Sequence, residues 1–305
     1  MNRPLKAVPG AAHATAAGCP FPLVDLHVHS VFSDGLKTPD ELCAMAVKAG
    51  VKHIALCDHD TVNGLPDMRK AAEKHGLSML PGVEISTGKG GRMHILCYGE
   101  HVESPEMKAF LESMAQERIG RAEAIMDKLA HEGISIPENR RAELLNMPSV
   151  GRAHIARELI AMGVVNTMQQ AFERYLMDGR PACVPRVEQP TAQAVEKLRR
   201  MRVVPVLAHP MRSELEQPAL HALIHSLVDC GLAGVEAYHP SANARAARML
   251  DGLARQENLL VTGGSDYHGD PGKSVQIGRL PAGWPSREND LSALKSAVLS
   301  FSTPY

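Results

Sequence analysis

Several things that would commit a chain to a particular setting are missing here. No apolar run in the 305 residues approaches the ~20 that a spanning helix requires. The opening stretch "MNRPLKAVPGAAHATAAGCP" is rich in alanine and broken by proline, and it lacks the continuous apolar core of a secretory signal. Residues 1–22 are therefore expected to be a disordered extension. Neither sign of charge is in excess, with 33 lysines and arginines against 34 aspartates and glutamates. Bulk charge thus does not direct the chain to duplex DNA or an anionic membrane, and any anion recognition must be local. The six cysteines form no C-x-x-C pair, and several lie inside apolar runs such as "HIALCDHD" and "MHILCYG". They read as small buried hydrophobes in a reducing compartment, so a cytoplasmic location is expected. No internal repeat and no low-complexity tract follows the extension.

What is present is an alternation. With 44% hydrophobic residues the chain can fill one core of the α/β-barrel class or two ordinary domains. "LVDLHVH" precedes "TPDELCAMAVKAG", in which Thr38 is a candidate N-cap, Pro39 suits the first helical position, Glu41 completes a capping box and Gly50 marks the stop. Further strands read in "VKHIALCD", "LSMLPGVEIS", "MHILCYG", "VVPVLAHP", "GVEAYHP" and "LLVTGG", with helices near 65–75, 218–230 and 243–257. Strands alternating with helices predict a parallel sheet covered by helices, and this many units favour a closed or nearly closed barrel. From 104 to 190 the pattern turns purely helical. The expected organisation is a barrel over 23–103 and 191–305 carrying a helical insertion over 104–190.

Polar exceptions in these strands gather at their C-terminal ends, where barrel enzymes collect reactive groups. His27 and His29 are two apart on a strand and so share a face. An isolated H-x-H is often no more than a pair of satisfied strand histidines. Here Asp34 follows in "FSDG", Asp58, His59 and Asp60 close the second strand and Glu84 closes the third. His94 begins the next strand, His209 and His239 end "VLAHP" and "EAYHP", and Asp266 and His268 stand in "SDYHG". Buried ionisable groups in such numbers are costly unless paired or metal-bound, which points to a metal site. The donors are imidazole and carboxylate with no thiolate, suited by type to Mn²⁺, Fe²⁺ or Zn²⁺. Asp58 and Asp60 are candidates for orienting His59 or its neighbours, Asp60 alternatively for capping its own turn. His239 is a candidate proton donor or phosphate contact. His53, His75, His131, His221 and His225 read as structural.

Taken in order, "DLHVHSVFSDG", "CDHD", "GVEIS", "MHILCYG", "AHP" and "GSDYHG" resemble the signature motifs of the PHP family, the polymerase and histidinol phosphatase metallo-phosphoesterases. The resemblance runs from about Leu23 to about Asp270. It implies a distorted (β/α)7 TIM-like barrel with a metal cluster of two or three ions, Mn²⁺ first, at the C-terminal face. It also implies how the ligands divide: His27, His29, Glu84 and Asp266 for one metal, Glu84 as a bridge with His94 and His209 for a second, and Asp34, His59 and His268 for a third. Asp34 is histidine in some relatives, a difference bearing on the third site.

A multinuclear site with a bridging hydroxide is machinery for in-line displacement at phosphorus, so phosphate ester hydrolysis is the expected reaction. Specificity is expected from the insertion. "PSVGRAHIARELI" places Arg152 in the first turn of a helix, with His154 and Arg157 on one face, and "DGRPACVPR" adds Arg180 and Arg186 on a loop. This arrangement resembles the stand-alone bacterial branch of the family, which implies a nucleoside 3',5'-bisphosphate phosphatase, with short RNA degraded from its 5' end as an extension. The substrate partner is then a nucleotide. A histidinol-phosphate phosphatase, an amidohydrolase-type C–N hydrolase and a non-catalytic metal-binding accessory module are the competing readings.

Overall fold

The computed structural model describes residues 23–270, 274–280, 283–285 and 287–302. The expected disordered extension at 1–22 lies outside the described residues. Seven strands, β1 (Leu23–Val28), β2 (Val51–Leu56), β3 (Ser78–Thr87), β4 (Met93–Tyr98), β5 (Val204–Leu207), β6 (Gly234–Tyr238) and β7 (Leu260–Gly263), form one sheet whose spatial order is their chain order. Just past β7, Tyr267 bridges to Val28 of β1, and His29 N–H donates to the Tyr267 carbonyl at 3.0 Å. These contacts bring the first and last strands together as a distorted barrel.

Helices α1 (Pro39–Lys48), α2 (Leu65–His75), α8 (Gln217–Asp229) and α9 (Ala244–Gln256) are the crossovers between parallel strands. The Thr38–Glu41 capping box forms at the start of α1, satisfying N–H groups that the helix itself leaves free. Apolar side chains from every strand meet the inner faces of these helices in one core, with Leu26, Ile54, Leu56, Ile85, Ile95 and Leu96 almost wholly buried.

The expectation of a parallel sheet fails at one strand. β4 runs antiparallel to both β3 and β5. Only residues 88–92 join β3 to β4, with Gly88, Gly90 and Gly91 at φ of 71°, 67° and 70°. That connection suits a hairpin and is too short for a crossover, which takes about a dozen residues or more. The reversal decides where His94 goes, because the start of β4 lies on the same rim as the ends of the other strands.

Between β4 and β5 the chain runs through α3 (Pro105–His131), α4 (Glu138–Leu145), α5 (Arg152–Ala161), α6 (Met168–Ala171), a π-turn at Phe172–Leu176, and α7 (Thr191–Arg200). The first half of α3 buries Met107, Phe110, Leu111 and Met114 in the barrel core. Its second half buries Ile125, Met126 and Leu129 in a separate apolar cluster with Leu144, Ile155, Leu159 and Leu176. At the C-terminal end, α10 (Arg287–Ser302) packs on the barrel. Trp284 is stacked on Tyr238 with ring centroids 5.8 Å apart and donates its indole N–H to Asp290 at 2.8 Å. Cys43, Cys57 and Cys97 are buried, Cys183 and Cys230 are partly exposed, and all five are free thiols. Cys19 lies outside the described residues. No described helix is long and apolar enough to cross a membrane.

Candidate metal centre

The rim formed by the strand ends gathers all nine residues singled out as candidate ligands. His27 and His29 leave β1 on one face, fully buried, with ring centroids 5.0 Å apart. The chain after β7 passes directly against them: a Cβ on Gly264 would stand 2.2 Å from His27 Cβ, so only glycine permits this approach. Asp25, on the same face of β1, staples the two ends together by accepting from the N–H groups of Ser265 and Gly278 at 2.9 and 2.7 Å. His209 and Asp266 are presented from the left-handed region, with φ of 28° and 52°. For non-glycine residues that conformation is sparsely populated and clusters at functional sites.

Three overlapping groups result, each holding its ligand atoms within 4.8 Å of one another: His27, His29, Glu84 and Asp266; His59, Glu84 and His94; and His29, Asp34, His59 and His268. Glu84 is common to the first two. Its Oε2 lies 3.2 Å from Nε2 of His27 and of His29 and 3.1 Å from His59 Nδ1, while Oε1 lies 2.8 Å from His94 Nδ1 and 2.9 Å from His209 Nε2. His268 Nε2 is 3.1 Å from Asp34 Oδ1. The sequence division placed His29 only with His27, Glu84 and Asp266 and His59 only with Asp34 and His268; in the structure each belongs to two of the groups.

The donor chemistry fits cations. His94 donates Nε2–H to the Gly91 carbonyl at 3.1 Å, and His268 donates Nδ1–H to the Asp266 carbonyl at 2.8 Å, so each turns a lone pair into the cluster. His94 Nδ1 faces His209 Nε2 at 3.2 Å, and His27 Nε2 faces His29 Nε2 at 3.0 Å, distances at which imidazole nitrogens need a proton or a cation between them. Among the described residues, buried His29 Nδ1, His59 Nδ1, Asp34 Oδ1 and Glu84 Oε2 have no hydrogen-bond partner. Unsatisfied buried atoms of this kind call for a bound ion or a catalytic role. Burial opposes protonation of His29, but the Asp266 and Glu84 carboxylates outweigh it and hold its pKa up to about 10. Burial drives His59 down to about 3 despite Glu84 and Asp34. Glu84 stays ionised well below the usual carboxylate range: burial opposes this, and His59 and His94 overcome it.

Around this set the structure departs from several sequence expectations. Asp58 does not orient His59. It accepts from Ser30 N–H and from the Ser30 and Ser33 hydroxyls, holding the loop that carries Asp34. Asp60 accepts from Ser86 N–H and pairs with Arg118 and Arg186, so it neither orients His59 nor simply caps its turn. His154 is not free for a substrate, since Nδ1 accepts Gly151 N–H and Nε2–H donates to the Ser33 carbonyl at 2.7 Å. Arg157 is tied to the Asp34 carbonyl and Asp270. Arg180 is exposed and lines no cavity beside the cluster, because the loop turns it outward while bringing Arg186 in. His239 accepts Ser241 N–H at Nδ1 and places Nε2 3.4 Å from Asp266 Oδ2.

Sequence reading missed Arg118, Arg121, Arg212 and Glu236. Arg118 and Arg121 sit three apart within a polar helical pattern that reads as solvated surface. Arg212 donates to Asp266 Oδ2 at 2.8 Å. Glu236 did carry a signal, as the one charge inside "GVEAY".

Two cavities meet at the cluster. A recess of about 170 Å³ is walled by Arg118, Arg121, Arg152 and Arg186 together with Asp34, His59 and His94, and the N-terminal residues of α5 border it. A cleft of about 1050 Å³ runs the other way past His239, Arg212 and His268 toward Ile160, Met168 and Phe172. Asp34, His59, Ala153 and Phe172 border both.

The PHP domain model matches residues 25–143. A 5'-3' exoribonuclease of Haemophilus influenzae is 34% identical over 90% of this chain and 96% of its own length. A 3',5'-nucleoside bisphosphate phosphatase of Chromobacterium violaceum is 30% identical over 83% of this chain and 90% of its own. Among solved structures, a protein of Bifidobacterium adolescentis assigned as a metal-dependent phosphoesterase superposes with a TM-score of 0.78 at 27% identity, covering 91% of this chain and 97% of the other. With the barrel, the ordered motifs and the histidine–carboxylate cluster, these likenesses show that the chain belongs to the PHP family of metal-dependent phosphoesterases.

Proposed function

We propose that the protein is a phosphatase that removes a phosphate monoester from nucleoside 3',5'-bisphosphates, and that it degrades short RNA from the 5' end by the same machinery. One observation carries this reading: a recess lined by four guanidiniums, with Asp34 its one lining carboxylate, opens beside the cluster. Asp60 pairs with Arg118 and Arg186, whereas Arg121 and Arg152 have no carboxylate within ion-pair distance among the described residues. Ser149 Oγ, buried in the same recess, has no hydrogen-bond partner among the described residues. A phosphate that does not react would satisfy all three, leaving a second phosphate over the cluster and the nucleoside along the cleft. All four of its guanidiniums come from residues 104–190, which is how that region would set specificity.

His27, His29, Glu84 and Asp266 would hold one divalent ion, Glu84, His94 and His209 a second, and Asp34, His59 and His268 a third. When bound, such ions supply positive charge to phosphoryl oxygens and acidify a water for attack. The protein's own groups do the rest. Glu84 stays anionic and shares its charge across the cluster. Asp25 and Gly264 keep β1 pressed against β7 so that His27 and His29 do not drift. His239, whose Nδ1 accepts from Ser241 N–H and whose Nε2–H lies 3.4 Å from Asp266, borders the cleft, where that N–H can donate a hydrogen bond to a phosphoryl or leaving-group oxygen.

The test follows, for the Mn²⁺-supplemented protein, inorganic phosphate released from a nucleoside 3',5'-bisphosphate and from histidinol phosphate, and nucleoside monophosphate released from a short 5'-phosphorylated RNA. Release from the bisphosphate, and at lower efficiency from RNA, is expected. Release from histidinol phosphate alone overturns the substrate assignment, and no release from any of the three favours an accessory metal-binding role.

A further inference from the structure

One buried carboxylate has no part in the reaction described so far. Glu236 stands in the middle of β6, 1% exposed, between the apolar Val235 and Ala237. A carboxylate so placed must have both oxygens satisfied. Its Oε1 lies 3.0 Å from His27 Nδ1, and its Oε2 accepts the backbone N–H of His209 at 2.8 Å.

The two contacts reach opposite sides of the cluster. His27 turns its other nitrogen toward Glu84, His29 and Asp266, while His209 faces Glu84 and His94. An imidazole with Nδ1–H held by a carboxylate has its Nε2 lone pair fixed in direction and made more basic. The contact to His209 is of another kind. That residue's backbone sits at φ 28°, a conformation that persists only where surrounding bonds enforce it, and the bond from its N–H to Glu236 is such a bond.

We infer that Glu236 is a positioning residue that sets two metal sites at once, orienting His27 through its ring and His209 through its backbone. The inference rests on the metal centre proposed above. Because one carboxylate serves both, its loss should weaken two ions together.

The experiment titrates chelator-stripped full-length protein with Mn²⁺ alone, following free Mn²⁺ by electron paramagnetic resonance, for the parent and for Glu236→Gln. Glutamine keeps the shape but cannot accept at both ends. Two ions are expected to bind ten- to a hundredfold more weakly in the variant, with the melting temperature of the metal-free protein within a few degrees of the parent. A second readout is the ¹⁵N spectrum of the Zn²⁺-loaded parent, where His27 should carry its proton on Nδ1. Unchanged Mn²⁺ affinities, weakening of a single ion, an Nε2–H form of His27, or a metal-free variant that no longer folds would each overturn the positioning role. A parent that binds no Mn²⁺ would instead overturn the metal centre itself, so the two failures are separable.

Discussion

A guanidinium kept half-buried beside three others is held there against its own electrostatics. Burial, followed by the charges of Arg152, Arg186 and Arg118, lowers the Arg121 pKa to about 10. Arg152 is also pushed down, chiefly by burial. Among the described residues Arg121 donates only to the Val184 carbonyl, and Arg152 donates to the Leu176 carbonyl and lies 5.7 Å over the Phe172 ring. An arriving phosphate relieves this strain, which makes both side chains sensitive to what the substrate carries. Charge-assisted contacts contribute ~1.5–3 kcal/mol, so Arg121→Ala and Arg152→Ala should each lower kcat/KM for a nucleoside 3',5'-bisphosphate by roughly ten- to a hundredfold. p-Nitrophenyl phosphate has no second phosphate and should be nearly unaffected. The ratio of the two losses is the measurement; equal losses would show that the arginines support the fold or the cluster and do not grip a remote phosphate.

At the level of elements, the nine candidate ligands were legible because a strand shows its faces in alternation and a barrel shows its rim in where the polar residues fall. The direction of a strand leaves no such mark. "MHILCYG" reads the same in either sense, and only the five residues before it, "GKGGR", with their glycines, show that the chain must turn back at once. The arginine recess was hidden for a different reason, since Arg118 and Arg121 on α3, Arg152 on α5 and Arg186 on the return loop meet only through tertiary packing. Arg180 and Arg186 lie on one loop, and nothing local says which of them turns inward. The close approach after β7 is equally invisible before the structure. Gly264→Ala would drive a methyl into His27 Cβ and its backbone nitrogen, 2.6 Å away, so β1 or β7 must move. Overpacking of this kind costs ~1–3 kcal/mol or more, and the shift should read as a lower midpoint in denaturant together with weaker Mn²⁺ binding. A midpoint equal to the parent's would show that the strand ends are not tightly joined.

Across the whole molecule, two apolar cores are latched at the loops that carry the candidate ligands. His154 holds the Ser33 carbonyl, Arg157 the Asp34 carbonyl, and Arg118 and Arg186 the Asp60 carboxylate. The stability of the metal-free protein should depend on pH through the cluster between them. His29, at about 10 in the folded state against 6.5 unfolded, binds its proton more tightly when folded. Its contribution is therefore complete below pH 6.5 and lost as the pH rises toward 10. His59, held down to about 3, acts in the opposite sense and removes stability as the pH falls from 6.5 toward 3. Calorimetry in chelator should show the melting temperature falling from neutral pH toward pH 10, and Mn²⁺ should flatten that fall by replacing the proton. A metal-free melting temperature that rises over this range would contradict the cluster's electrostatics.

The chain contains a single tryptophan, 3% exposed, and its ring lies on Tyr238, the residue immediately before His239. Its indole N–H is bonded to Asp290 of α10, so the ring sits between the final helix and the strand that ends at the cleft. Light absorbed at the red edge of the aromatic band is therefore absorbed at one known address. The colour and lifetime of that emission form a built-in optical gauge of whether the last helix is seated on the barrel, readable in dilute solution without attaching a dye or altering a residue.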